Sequence, residues 1–162
     1  MAAVVLCSPV LFGVARAEDQ KNPAAEFQAR FERETDAVHR AKLMQRLGPE
    51  EFEQIEKDVS QGDVAAAARI VTQYRDQVRS CIEALDARKI NAARHDSGFK
   101  QLQISVQEAL RRLDEILAGL TADQQPDFAA ARSELQKIND HLVQELFPGS
   151  PSPGAPAAKS GR

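Results

Sequence analysis

The chain has 162 residues, a formal net charge of −3, aromatics at only 5% and no tryptophan. That length suits one domain rather than two, and a composition rich in Ala, Leu, Gln, Glu and Arg favours helix over strand. A net negative chain without aromatics interleaved among its basic residues argues against a nucleic-acid partner.

Residues 1–17 read as a signal peptide: an apolar run from Ala2 to Val14, small residues in Ala15-Arg16-Ala17, then the abruptly polar Glu18-Asp19-Gln20-Lys21. No Lys or Arg precedes the run, which departs from the usual layout. The run falls short of the ~20 residues a bilayer-spanning helix needs, so no stable membrane anchor is expected. Leu6 before Cys7 departs from the bacterial lipoprotein pattern. The expected protein is exported, either periplasmic or extracellular. Cleavage after Ala17 leaves Cys81 without an intramolecular disulfide partner, and its place on an apolar seam suits a small hydrophobe.

A first helix is expected from about Pro23 to Leu47, with Phe27, Phe31, Val38, Ala41 and Met44 on one face, ending before Gly48-Pro49. A short second helix from Pro49 to Ser60 carries Phe52, Ile55 and Val59 and breaks at Gly62-Asp63, where Asp63 is a candidate N-cap. The third and fourth helices are apolar ladders of alternating three- and four-residue steps. One runs Val64, Ala67, Val71, Tyr74, Val78, Cys81, Leu85, and the other Phe99, Leu102, Val106, Ala109, Leu113, Ile116, Leu120. Residues 92–98 join them, with Gly98 marking the turn and Asp96 and Ser97 as capping candidates. The fifth helix is expected from about Thr121 to Leu146 with Phe128, Ala131, Leu135, Ile138 and Leu142 as its seam. Thr121 and Gln124 would form a capping box, although Pro126 lies early enough to move the start.

Equal ladders that double back pair Leu85 with Phe99, Val78 with Val106, Val71 with Leu113 and Val64 with Leu120. Ile70, Ile82, Leu110 and Leu117 widen both stripes beyond a two-stranded coil, so each ladder needs further neighbours. The expected fold is all-α, a bundle of about four to five helices built on a central antiparallel hairpin and occupying residues 18–147. An arrangement in which the first helix projects and forms a homodimer stays open. Residues 148–162, rich in Pro, Gly, Ser and Ala, read as a disordered tail.

The turn at Gly62-Asp63, with Val59, Val64 and Ala67, resembles one tetratricopeptide helix-turn-helix, but no second copy follows about 34 residues later. Leu120-Thr121-Ala122-Asp123-Gln124 resembles the LTxxQ motif of the Spy-like periplasmic chaperones, small exported all-helical proteins. Leu47-Gly48-Pro49-Glu50-Glu51, a degenerate second copy, lacks both the Thr and the Gln. The resemblance implies a dimeric cradle that binds unfolded clients.

Chemistry-bearing patterns are sparse. Asp36 and His39 form an acid-x-x-His pair, but Ile138 stands three residues before His141, so the second pair of a bundle metal site is missing. His95, Asp96 and Ser97 are adjacent in a turn, which is not triad geometry, and neither a phosphate loop nor a Cys-x-x-Cys-His segment occurs. No cofactor and no enzymatic activity are expected.

Charge is more informative. Residues 18–68 hold 7 basic and 12 acidic groups and residues 113–147 hold 2 and 7, while residues 69–112 hold 9 and 5, so the centre is basic between acidic flanks. Intramolecular pairing is one account. A partner surface for another protein or an anionic macromolecule is the other, with Arg75, Arg79, Arg88, Lys89, Arg94, Lys100, Arg111 and Arg112 as candidates. Ile104, opposite the seam of its helix, either packs against the first or second helix or joins them as an apolar contact. The sequence therefore points to a non-enzymatic binding or structural protein, with a Spy-like binder of unfolded proteins as the alternative.

Overall fold

A computed structural model of the chain describes residues 23–89 and 91–149. The expected signal peptide and the tail from residue 150 lie outside the described residues. Five helices follow in order: α1 (Pro23–Arg33), α2 (Ala37–Ser60), α3 (Val64–Asp86), α4 (Phe99–Gly119) and α5 (Pro126–Leu146). The protein is an all-α helical bundle, as the sequence indicates.

Helices α2 to α5 form the bundle and α1 lies against α2. Around the ring the order is α2, α3, α5, α4. Ion pairs give the directions: Arg79 to Glu134 and Asp86 to His141 set α3 parallel to α5. Val38 beside Gly98 and Glu56 beside Arg112 do the same for α2 and α4. The two ladders meet across the centre, where the Tyr74 hydroxyl donates to the Ser105 carbonyl at 3.1 Å. The larger contacts of α3 are with α2 and α5, and those of α4 with α5 and α2.

All of the ladder residues except half-buried Val64 are buried, together with Ile82 and Leu110, while Ile70 and Leu117 pack against the core. This is the need for extra neighbours that the widened stripes implied. Full burial of each Val, Leu, Ile or Phe among them contributes roughly 1.5–3 kcal/mol. Cys81 is a free, fully buried thiol in that core, and burial pushes its pKa up to about 12. The buried face of α5 contains Phe128, Ala131, Leu135, Asn139, Leu142 and Leu146, with Ile138 only partly buried beside it.

Three helix boundaries differ from expectation. The long first helix breaks at residues 34–36 because local side chains take over the helical hydrogen bonds. Glu34 Oε1 accepts from the Thr35 and Asp36 amides, both at 2.9 Å, and Asp36 caps α2 by accepting from the His39 amide. Gly48 and Pro49, in contrast, sit inside continuous α2. Gly48 is there for packing: a Cβ would stand 3.2 Å from the Tyr74 ring. Pro49 has no amide to give the Gln45 carbonyl, and neighbouring packing tolerates that loss. Finally, α5 begins at Pro126, an N1 residue, instead of Thr121. Gln124 does accept from the Thr121 amide at 3.2 Å, but the Thr121 side chain bonds Asp123, so these residues close a turn ahead of the helix. Asp63 caps α3 as expected, accepting from the Ala66 amide at 3.0 Å.

Candidate functional site

The eight basic candidates of the centre separate into two sets. Arg79 reaches Glu134 on α5, Arg88 lies 3.6 Å from Asp36 at the start of α2, and Arg112 holds Glu56 on α2 at 2.7 Å. Arg75 pairs with Asp76, and Arg111 with Glu108 and Glu115, on their own helices. In this set the acidic flanks largely neutralise the basic centre. Arg112 does more than pair: it stacks 5.2 Å from the Phe52 ring and donates to the Pro49 carbonyl, tying α4 to α2.

The second set is Lys89, Arg94 and Lys100, exposed and without an ion pair among the described residues. Lys89 lies just past α3 with φ of 52°. Arg94 and Lys100 line a groove of about 450 Å³ at one end of the bundle, between the start of α4 and the end of α5. Its floor is buried Ala92 and Leu146, and its rim carries Ile104 and Phe147. These two are the large hydrophobic residues left exposed among the described residues, at 47% and 59%. Asp96 is the one acidic residue of the lining.

Ile104 also lines a second cavity of about 210 Å³ between parallel α2 and α4. Met44, Gly48, Phe52, Tyr74 and Ala109 make its apolar lining, and Gln45, Glu108 and Arg112 its polar one. Tyr74 and Phe52 meet edge to face at 5.2 Å, and burial holds the Tyr74 phenol well above its ordinary pKa. The exposed face of α4 thus carries an apolar knob between two concavities, one with a mainly apolar lining and one flanked by unpaired cations.

Of the nine expected partner residues, Arg94, Lys100 and Ile104 converge on one groove. Arg75, Arg79, Arg88, Arg111 and Arg112 are committed to pairs elsewhere, and exposed Lys89 is not part of the groove lining. Phe147 was missed, since it follows the α5 seam out of register and directly precedes Pro148-Gly149. A large aromatic stranded between a helix end and a Pro-Gly stop was the signal.

A buried polar cluster lies on the α1 side. Glu51, 5% exposed, accepts through Oε1 from Gln77 at 3.1 Å and Gln73 at 3.3 Å, and Gln77 also donates to Gln28 of α1 at 2.6 Å. Glu51 Oε2 and Gln77 Oε1 are buried without a partner. Burial outweighs the Gln77 hydrogen bond and raises the Glu51 pKa to about 7.

Among the described residues no three His, Cys, Asp or Glu side chains converge as metal ligands, and no helix is long and apolar enough to cross a membrane. No protein-family model, curated protein or solved structure matches the chain.

Proposed function

We propose that the protein is an exported, non-enzymatic binding protein whose α4 groove takes an apolar, acidic segment of another protein. One observation carries this reading: Ile104 and Phe147 rim the same groove as the unpaired cations Arg94 and Lys100. Apolar side chains that become buried on contact supply much of its energy, and neighbouring charges select the partner and speed encounter. The adjoining α2/α4 cavity offers a second apolar socket along the same helix. The signal-like residues 2–17 support export.

Selection of displayed peptides on the full chain tests the reading. Enrichment of segments with two apolar anchors and flanking Asp or Glu is expected. Binding of the enriched peptides should fall roughly tenfold or more in an Arg94→Glu/Lys100→Glu variant, equivalent to about 1.4 kcal/mol. Absence of enrichment, or binding indifferent to the charge reversal, would refute it.

Holding of unfolded clients in the Spy manner is the second reading, favoured by the same exposed apolar pair and by the Leu120 to Gln124 segment. Suppression of aggregation of an unfolded client at near-stoichiometric amounts, without nucleotide and without sequence preference among peptides, distinguishes it.

A further inference from the structure

A second charged groove lies between α1 and α2, where counting charge by segment conceals it. Arg30 and Arg33, three apart on α1, face Lys42 and Arg46, four apart on α2, across a concavity of about 550 Å³. All four are exposed. Arg30 is held by Glu26 at 2.9 Å, while Arg33, Lys42 and Arg46 make no ion pair among the described residues. Glu34, the one carboxylate of the lining, is engaged: Oε1 accepts two backbone amides and Oε2 lies 3.7 Å from His39.

Like charges at these spacings repel along each helix, and here the repulsion is repeated across the contact between two helices. The cations would be relieved by an anion seated between them. A single exposed ion pair is worth little, so the ligand must engage several cations at once, and guanidinium groups match the paired oxygens of phosphate-like groups. We propose that the α1/α2 groove is a site for a multivalent oxyanion, phosphoryl or sulfuryl in chemistry, held by Arg33, Lys42 and Arg46. Occupancy ties α1 to the bundle and so stabilises the folded chain by mass action. The site is independent of the α4 groove, because its residues lie on other helices.

Calorimetric titration of the full chain with tripolyphosphate, at ionic strength held constant with chloride, tests it. Saturable binding of one tripolyphosphate per chain is expected, weakened roughly tenfold or more by Arg33→Glu/Lys42→Glu/Arg46→Glu and unchanged by Arg111→Glu. The milder Lys42→Gln/Arg46→Gln pair, checked for helix content, guards against misfolding and should weaken binding in the same direction. Vesicles of phosphatidylglycerol in phosphatidylcholine distinguish a lipid headgroup from a free ligand. Binding to them that tripolyphosphate competes away assigns the headgroup, and tripolyphosphate binding alone assigns the soluble anion. Failure of both probes to bind, binding indifferent to the triple variant, or equal loss in Arg111→Glu would overturn the proposal.

Discussion

Glu51→Gln is expected to make the protein more stable above pH 7 and to remove most of the pH dependence of its stability near neutrality. The Glu51 carboxyl binds its proton more tightly in the folded chain, at a pKa of about 7, than in the unfolded chain, where it reverts to an ordinary carboxyl value. Stability from the protonated form is therefore fully present below the unfolded value and is lost as pH rises through about 7. The expected slope is about 1.4 kcal/mol per pH unit inside that window, or roughly 3 kcal/mol across it. Asp36, Glu108, Asp114 and Glu134 have lowered pKa values from amide or Arg and Lys partners, so their stabilisation is lost in acid, outside this window. Gln also brings an N–H to a place whose two orphaned atoms, Glu51 Oε2 and Gln77 Oε1, are both acceptors. Urea unfolding of both chains from pH 5 to pH 9 checks this. Parallel profiles would show that Glu51 is already hydrated and that α1 does not cover it.

Gly98→Ala is expected to cost roughly 2–4 kcal/mol, combining a disfavoured backbone with overpacking. Gly98 opens α4 with φ of 93°, at the point where the ends of α2, α3 and α4 meet. A Cβ there would lie 2.8 Å from Leu85 Cδ2 and 3.4 Å from the Val38 Cα. Leu85 is fully buried, so its methyl can yield only by shifting packed neighbours, while the Val38 backbone cannot swing aside at all. Gly62 provides the control, because its φ is 82° yet nothing lies within 4 Å of an added Cβ. Gly62→Ala should cost about 1 kcal/mol, the backbone contribution alone. Equal losses in the two variants would mean that the junction of the three helix ends is looser than its geometry indicates.

The ladders of α3 and α4 were legible because their three- and four-residue steps persist over six turns without an interrupting polar residue. The break after α1 was not, because Phe31 and Val38 are seven residues apart and keep one face whether or not the helix continues. Its cause lies in Glu34 and Asp36 side chains that capture amides, and such capture depends on geometry that spacing does not encode. Gly48-Pro49 misled in the opposite sense: the pair reads as a stop, yet Gly48 is where the Tyr74 ring presses against α2. Only the three-dimensional neighbour explains it. Asn139 illustrates the same limit, as a polar residue buried on the α5 seam with Oδ1 unpartnered.

For the candidate site, Ile104 stood out in the sequence because it violates the amphipathic pattern of its helix. Arg94 and Lys100 were indistinguishable from the other basic residues until their partners were known. The division between paired and unpaired cations is a property of the ring order α2, α3, α5, α4, which brings Glu134 to Arg79 and Glu56 to Arg112. The α1/α2 cations were hidden for a related reason. Residues 18–68 sum to five units negative, yet the fold gathers Arg33, Lys42 and Arg46 into one groove.

The most direct test of the α4 groove as a docking surface is a photo-crosslinking residue placed at Gln103, on the groove lining, and at exposed Ala118 of the same helix, in the full chain expressed at its natural level. The expected result is a discrete adduct from position 103, none from position 118, and loss of the first in the Arg94→Glu/Lys100→Glu background. Equal adducts from both positions, or an adduct at 103 that survives the charge reversal, would contradict the assignment.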